Sequence, residues 1–133
     1  MLVADLMVTD LTVVNEDVTM AEAVLKLADA RVHGVPVVNR RGRLVGVLSS
    51  SDILQATAEG TTAGEGNAVF AQTLVSDIMT TPPRTVRGDD DVRTAAQHML
   101  ELDVHRLFVE EDGELLGVIS QSDIVRAVAT GKL

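Results

Sequence analysis

The sequence predicts an α/β fold of two similar halves packed about a pseudo-twofold axis, with small sheets flanked by helices. The stretch from Asp5 to Thr57 recurs from Asp77 to Val128, at a spacing of 72 positions that becomes 71 after a one-residue deletion. Each copy carries the pattern of a strand, a helix, two strands and a second helix. A long repeat that is present only twice favours two paired lobes over an extended solenoid.

The first helix of each copy has a defined start and one apolar face. Thr19 and Glu22 have the spacing of a capping box, in which each side chain satisfies a free amide at a helix start. Asp91 is the expected N-cap at the matching place in the second copy. Apolar residues then follow at positions i, i+3, i+4, i+7 and i+8 of both helices. They are Met20, Ala23, Val24, Leu27 and Ala28 in the first helix and Val92, Ala95, Ala96, Met99 and Leu100 in the second.

Two β segments follow in each copy, and each pair predicts a hairpin. The second pair encloses Asp112-Gly113, a dipeptide typical of the tightest hairpin turns. The last helix of each copy is expected to begin near Ser49 or Ser120, and Gly131 is the expected stop of the second one. The segments are residues 35–38 and 43–48 in the first copy and residues 107–110 and 114–119 in the second.

The chain divides into residues 1–58 as the first motif, residues 59–73 as a linker and residues 74–133 as the second motif. Residues 59–67 are rich in Gly, Thr and Glu, a composition that favours a solvated linker. A half of about 55 residues buries too little surface to be stable alone. The two motifs are therefore expected to fold together.

Composition excludes several classes of function. The 133 residues include 11 basic and 20 acidic ones, and a net charge of −9 opposes binding to a phosphate backbone. The absence of cysteine excludes disulfides and thiol catalysis. Phe70 and Phe108 are the only aromatic residues, so a ring-shaped ligand would have to lie against aliphatic side chains. No stretch has the length of a membrane span and no signal peptide is evident, so we expect a cytoplasmic protein without a membrane partner.

A Ser-x-x-Asp pattern follows a glycine-containing strand in both copies. Ser49 with Asp52, and Ser120 with Asp123, place a hydroxyl and a carboxylate at a helix start. An ionised Asp only accepts hydrogen bonds, so the paired hydroxyls of a ribose match it. The same spacing also fits a capping box that merely completes the helix. Its repetition after a strand glycine, where a ligand could approach the backbone, favours binding.

These motifs resemble those of the CBS domain family, named for the regulatory domain of cystathionine beta-synthase. The resemblance rests on "GVLSSSDI" and "GVISQSDI", on the "DLM" and "DIM" openings, and on the "HGVPVV" stretch. It implies two tandem β-α-β-β-α motifs that hold adenosine-containing ligands in a cleft. One implied site combines Ser49 and Asp52 with Thr85, Val86, His105, Arg106 and Leu107. The second implied site combines Ser120 and Asp123 with Val13, Val14, His33, Gly34, Val35 and Pro36.

The two implied sites are not equivalent. Arg106 could offer a forked donor to a nucleotide phosphate, whereas Gly34 at the matching place offers no side chain. Arg84 and Arg126 are possible helpers of Arg106. The alternative for Arg106 is a surface salt bridge with one of the acidic residues. Phe108 replaces the proline of the first copy, which puts the backbone shape at that position in doubt.

No metal site is expected. His33 and His105 occupy matching positions, and a lone histidine is usually structural. His98 lies on the first helix of the second copy, too isolated to complete a metal box. The run from Asp89 to Asp91 favours a helix cap and a solvated turn over a cation site.

The residues favour a sensor over an enzyme. No nucleophile with its base is visible, and Asp52 and Asp123 are repeat-related, so each is expected to serve its own site. The expected function is the binding of an AMP, ADP or ATP type of ligand, with no other cofactor. A homodimer and a regulated protein on another chain are the expected partners, without nucleic acid. The alternatives are a sensor of S-adenosylmethionine, a structural dimerisation module with empty clefts, and a weak enzyme acting on the nucleotide.

Overall fold

A computed structural model describes residues 1–30, 34–59 and 71–133. It confirms the predicted order of strand, helix, strand, strand and helix in each repeat. A one-turn helix that the sequence patterns did not predict precedes each repeat. In the first repeat the elements are α1 (Val3–Leu6), β1 (Val14–Asn15), α2 (Met20–Ala30), β2 (Gly34–Val38), β3 (Leu44–Ser49) and α3 (Ser50–Glu59). In the second they are α4 (Val75–Ile78), β4 (Thr85–Val86), α5 (Val92–Leu102), β5 (Arg106–Glu111), β6 (Glu114–Ser120) and α6 (Gln121–Ala129).

The aspartate of each repeat's opening closes the one-turn helix. The backbone amide of Leu2 donates to Asp5 Oδ2 at 2.9 Å. The amide of Leu74 donates in the same way to Asp77 Oδ2 at 3.2 Å. Each bond satisfies an amide that a helix start leaves without an intrahelical partner. The "DLM" and "DIM" openings are therefore turns that direct the chain toward the following strand.

Two three-stranded sheets have the same topology. Their orders are β1-β2-β3 and β4-β5-β6, with a parallel first pair and an antiparallel second pair. Both predicted hairpins are confirmed. Asp112 and Gly113 both have positive φ, at 53° and 86°, as the tightest hairpin turn requires at its two central positions.

The helix starts are confirmed by their caps. Thr19 Oγ1 accepts from the Glu22 amide at 3.3 Å, and Asp91 Oδ1 accepts from the Arg93 amide at 2.8 Å. At the other end of the chain, Gly131 has a φ of 74° and follows α6. The amide of Lys132 donates to the Ala127 carbonyl at 2.9 Å, which is the long bond of a Schellman motif.

The first four positions of each apolar stripe are buried or half-buried, but the fifth is exposed. Met20 and Val92 are buried, whereas Ala28 is exposed and Leu100 is 79% exposed. The fifth residue of each predicted stripe therefore lies outside the core. At about 100° per residue, position i+8 lies at the edge of the stripe, roughly 80° from position i. The sheet does not reach that far around the helix.

The compact units differ from the sequence repeats. One unit comprises Thr12–Pro83, which we call the central unit. The other joins Met1–Leu11 to Arg84–Leu133, and we call it the terminal unit. Each unit therefore contains the opening segment of the other repeat. The predicted bounds 1–58 and 74–133 refer to the sequence duplication and not to these units. In the described ranges, no helix has the length and apolar character needed to cross a membrane.

Each unit has its own aliphatic core. Val75 in the central unit and Val3 in the terminal unit are fully buried, so the opening helices contribute directly to these cores. The buried core residues of the central unit are Val14, Met20, Ala23, Leu27, Val35, Val37, Leu48 and Val75. Those of the terminal unit are Val3, Val86, Ala95, Met99, Leu107, Val109 and Ile119.

Candidate functional site

The Ser-x-x-Asp corner of the central unit lies between β3 and α3. The Ser49 amide donates to Asp52 Oδ2 at 2.9 Å. The Asp52 amide donates in return to Ser49 Oγ at 3.1 Å. This reciprocal pair is a capping box, so the structural interpretation of the motif is correct. The cap uses only Oδ2 of the carboxylate, which leaves Oδ1 for other donors.

The matching corner of the terminal unit lies between β6 and α6. The Ser120 amide donates to Asp123 Oδ2 at 2.9 Å, and the Asp123 amide donates to Ser120 Oγ at 3.2 Å. The Ser120 hydroxyl also donates to Asp123 Oδ2 at 2.9 Å. The two corners therefore share one capping geometry, and in both of them Oδ1 takes no part in the cap.

The surroundings of the two outward oxygens differ. Thr80 Oγ1 donates to Asp52 Oδ1 at 2.9 Å. In the terminal unit, Arg126 Nη1 lies 3.7 Å from Asp123 Oδ1, with the Arg126 side chain 71% exposed and that of Asp123 only 12% exposed. Arg126, expected as a helper of Arg106, thus forms an ion pair with the aspartate of its own corner. The carboxylate of Asp52 meets a neutral donor, whereas that of Asp123 meets a cation.

The strand glycines face the protein itself. A β-carbon on Gly46 would lie 2.8 Å from Met79 Sδ and 3.0 Å from the Thr80 carbonyl oxygen. A β-carbon on Gly117 would lie 2.6 Å from the Val8 carbonyl oxygen. The expectation that these glycines admit a ligand to the backbone was therefore wrong. They make room for the opening segment that each unit takes from the other repeat.

The remaining candidate residues of the central unit lie on β1 and β2. Val13 precedes β1, and Val14 is within it. Gly34 opens β2 directly opposite Ser49 in the register of the hairpin, which brings the two residues together. His33 lies outside the described residues. The described members of this set are Val13, Val14, Gly34, Val35 and Pro36.

The terminal unit holds the matching set on β4 and β5. Arg106 pairs with Ser120 in the register of the hairpin, at the place that Gly34 has in the central unit. His105 Nδ1 lies 3.1 Å from Gln121 Oε1, a partner that fits a structural role. The set comprises Thr85, Val86, His105, Arg106 and Leu107.

Several of these candidates have side chains that belong to the core. Val35 is 1% exposed and Leu107 is 0% exposed, and Val14 and Val86 are also buried. Such residues could present only backbone groups to a ligand. Sequence analysis placed Val35 and Leu107 on strands, but periodicity does not distinguish a core side chain from one that lines a site.

Phe108 differs from its counterpart Pro36 in one backbone bond. The Phe108 amide donates to the Arg84 carbonyl at 3.1 Å and so extends the parallel pairing of β4 with β5. Proline has no N–H, so Pro36 cannot make the equivalent bond. The substitution therefore changes one interstrand hydrogen bond and leaves the backbone course unchanged, since Pro36 and Phe108 both lie within the middle strand of their sheet.

A cavity of about 370 Å³ opens beside β1 in the central unit. Val13 and Val14, two of the candidate residues, form part of its wall. The Lys26 ammonium donates to the Val13 carbonyl at its rim. The other lining residues are Asn15, Val18, Glu22, Ala23 and Val38. The wall is predominantly aliphatic, as the low aromatic content of the chain required.

The acidic run before α5 has structural contacts. Asp91 caps the helix, and Asp90 Oδ2 accepts from the Arg87 amide at 2.9 Å. Asp89 Oδ1 accepts from Arg87 Nε at 3.0 Å, and this hydrogen bond raises the pKa of the guanidinium. Among the residues with described positions, no group of three or more His, Cys, Asp or Glu could hold a metal ion.

Comparison with known proteins identifies the family. The sequence profile of the CBS domain matches residues 3–59 and 75–130. CBS domain-containing protein CBSX1, chloroplastic, of Arabidopsis thaliana is 30% identical over an alignment of 139 positions that covers 89% of this chain. The gamma-3 subunit of 5'-AMP-activated protein kinase of Bos taurus is 34% identical over 125 positions, 90% of this chain. The chain spans 59% of the length of CBSX1 and 24% of that of the kinase subunit.

Solved structures give the same result. The crystal structure of CBSX2 in complex with AMP has a TM-score of 0.83 and 31% identity, and the match covers 99% of this chain and 98% of that one. The CBS domain pair of protein MJ0100, in complex with 5'-methylthioadenosine and S-adenosyl-L-methionine, has a TM-score of 0.79 and 25% identity. That match covers 100% of this chain and 98% of the MJ0100 chain.

Proposed function

The chain belongs to the CBS domain family, and from that premise we propose that it is a regulatory module for an adenosine-containing ligand of the AMP, ADP or ATP type. The observation that carries the proposal is the second carboxylate oxygen of each motif aspartate, which the helix cap does not use. In Asp52 and Asp123 the cap consumes Oδ2 alone. We expect the Oδ1 of each to accept hydrogen bonds from ribose hydroxyls, although Thr80 already takes one acceptor position of Asp52 Oδ1.

The ligands of similar proteins support this class of ligand. AMP is bound in the CBSX2 structure, and 5'-methylthioadenosine and S-adenosyl-L-methionine are bound in that of MJ0100. All three molecules contain an adenosine unit. Hydrogen bonds from the ribose hydroxyls to an aspartate do not require a phosphate, so all three molecules could make them. The aliphatic cavity wall at Val13 and Val14 offers a surface on which a base could lie without aromatic stacking.

We assign phosphate binding to Arg106. It is half-buried, lies opposite Ser120 at the end of β6, and has no ion pair among the described residues. A planar guanidinium donates two parallel hydrogen bonds to a phosphate. S-adenosylmethionine carries no phosphate, but its carboxylate accepts the same forked donor, so Arg106 by itself does not separate the two ligands. The grouping of each Ser-Asp corner with strand residues of the other motif stays a prediction from the resemblance.

The signal is proposed to pass to another protein through a homodimer. Ligand binding acts on a partner only if it favours one of two arrangements of the module. Exposed apolar side chains on the helices are candidates for an isologous contact. They are Leu25, Leu54, Leu100, Val125 and Val128. The cytoplasmic compartment stays a prediction.

We propose that the chain is not an enzyme. The hydroxyls of Ser120 and Thr80 each donate to a motif aspartate. Ser120 also accepts the Asp123 amide as part of the helix cap, so we assign these contacts to the capping boxes and not to a nucleophile with its base. A structural dimerisation module without a physiological nucleotide is the alternative that the two capping boxes favour. Such a module would bind no adenosine ligand.

Thermal unfolding with AMP, ATP or S-adenosylmethionine separates these functions. A ligand at 100 times its dissociation constant adds about 2.7 kcal/mol of stability. The nucleotide sensor predicts a higher melting temperature with AMP or ATP. Absence of any shift with all three ligands at millimolar concentration would favour the dimerisation module. Chromatography of the nucleotide after incubation tests for turnover, and hydrolysis would contradict the non-enzymatic assignment.

A further inference from the structure

One hydroxyl distinguishes the two Ser-Asp corners. Thr80 Oγ1 donates to the outward oxygen of Asp52 at 2.9 Å. The residue 72 positions earlier in the repeat is Val8, which has no donor in its side chain. Asp123 Oδ1 accepts no hydrogen bond from the described part of the chain, since Arg126 lies beyond hydrogen-bond distance at 3.7 Å. Asp123 Oδ1 can therefore accept one more hydrogen bond from a ligand than Asp52 Oδ1 can.

Thr80 and Val8 occupy equivalent places in their units. The Thr80 amide donates to the Val47 carbonyl at 2.8 Å and the Val47 amide returns a bond at 3.0 Å. Val8 and Val118 exchange the same two bonds at 2.8 and 2.9 Å. Val47 and Val118 each stand five positions before the motif aspartate. A side chain at position 8 therefore has the same relation to Asp123 as Thr80 has to Asp52.

The Thr80 hydroxyl is not needed to hold the carboxylate in place. The amide of the corner serine donates to Oδ2 at 2.9 Å in both units, with Thr80 present in one and valine in the other. What the hydroxyl does is occupy one of the two acceptor positions of Asp52 Oδ1. The extra bond from the Ser120 hydroxyl goes to Oδ2 of Asp123 and leaves the outward oxygen free.

The ion pair with Arg126 blocks Asp123 Oδ1 less than the Thr80 hydrogen bond blocks Asp52 Oδ1. The Arg126 side chain is 71% exposed, and exposed ion pairs contribute about 0–1 kcal/mol. A solvated guanidinium on a flexible stem moves aside at little cost. The Thr80 hydroxyl belongs to a short side chain whose backbone is fixed by two hydrogen bonds to β3.

We propose that Thr80 makes the two corners unequal, so that the Asp123 corner binds the ribose of an adenosine ligand more tightly and fills first. This inference rests on the proposed function of the corners. A module with two unequal corners responds over two ranges of ligand concentration. Thr80 then sets the difference in ligand affinity between the two corners.

Calorimetry with adenosine tests the inference, because adenosine has no phosphate to contact Arg106. Asp52→Asn and Asp123→Asn isolate one corner each. Asparagine keeps an oxygen for the serine amide but replaces the outward acceptor by an NH₂ group, which preserves the cap. We expect Asp123→Asn, which leaves the Asp52 corner, to bind adenosine about fivefold more weakly than Asp52→Asn, the equivalent of one hydrogen bond.

Reciprocal exchange of the two side chains provides the matched pair. Thr80→Val in the Asp123→Asn background should tighten adenosine binding about fivefold. Val8→Thr in the Asp52→Asn background should weaken it to a similar extent. Far-UV circular dichroism checks that each variant is folded.

The outcomes separate the inference from the function on which it rests. If both asparagine variants lower the number of adenosine sites but Thr80→Val leaves the affinity unchanged, the role of Thr80 is wrong and the ribose sites stand. If neither asparagine variant changes adenosine or AMP binding, the proposed function fails together with the inference.

Discussion

Gly117 faces Val8 so closely that a β-carbon on the glycine would lie 2.6 Å from the Val8 carbonyl oxygen. The two residues stand far apart in the sequence and belong to different repeats. Their approach is part of an exchange in which each compact unit takes the opening segment of the other repeat. The strand glycine of the family motif therefore makes room for the opening segment that packs against it.

Alanine at Gly117 is predicted to destabilise the protein more than alanine at Gly46. The methyl group of an alanine at position 117 would lie 2.6 Å from the Val8 carbonyl oxygen. At position 46 it would lie 3.0 Å from the equivalent Thr80 oxygen and 2.8 Å from the flexible Met79 sulfur, which is the milder overlap with the backbone. Overpacking of this kind costs about 1–3 kcal/mol. Urea unfolding of both variants measures the difference. Equal losses of stability in the two variants would contradict the prediction and would mean that the backbone at Val8 shifts at little cost.

Arg106→Ala is predicted to weaken AMP binding and to leave adenosine binding nearly unchanged. A hydrogen bond to a charged group is worth about 1.5–3 kcal/mol, or roughly tenfold or more in affinity. Calorimetry with both ligands measures the two effects. Arg41→Ala is the control, because it removes the same charge from an exposed position in the turn between β2 and β3, outside both candidate sites. Unchanged AMP affinity in Arg106→Ala would show that the phosphate assignment is wrong.

Asp91→Ala is predicted to lower the free energy of unfolding by about 1 kcal/mol, because it removes the N-cap of α5. Asp89→Ala removes only an exposed ion pair with Arg87, whose worth is about 0–1 kcal/mol. Chemical denaturation of both variants under one set of conditions compares them. A larger loss in Asp89→Ala would contradict the capping assignment.

Leu100→Glu is predicted to dissociate the proposed homodimer without unfolding the chain. Leu100 is 79% exposed on α5, so a charged side chain there is solvated in the isolated protein. At the centre of an apolar interface the same charge would be buried without a partner. Light scattering after size exclusion gives the mass, and thermal unfolding checks the fold. A dimer of undiminished stability would place the interface away from α5.

A retained ligand offers a direct check of the ligand class. The chain has no Trp, Tyr or Cys and therefore scarcely absorbs at 280 nm. An absorption band near 260 nm that survives extensive dialysis is expected if an adenosine ligand remains bound. Mass spectrometry of the supernatant after denaturation identifies it. A protein purified without such a band would bind its ligand too weakly for dialysis or lack one, and the melting experiment with added AMP decides between the two.

Local patterns in the sequence were enough to predict the duplication, the order of elements, the helix caps and the family. These features are local, because capping boxes, apolar periodicity and hairpin turns each depend on residues a few positions apart. The sequence also identified Ser49, Asp52, Ser120 and Asp123 as the motif corners. The exposure of Ala28 and Leu100 was missed, since periodicity gives the direction of a face but not how far the sheet extends beneath it.

The folded structure was needed to show which unit receives each opening segment. The role of the strand glycines and the different hydrogen bonding of Asp52 and Asp123 follow from that arrangement. The contact between Thr80 and Asp52 joins residues 28 positions apart, and no local pattern encodes it. Such a contact depends on where the backbone of one segment settles against another. The free energy that fixes this placement comes from burial of Val3 and Val75 in two separate cores, a property of the folded chain.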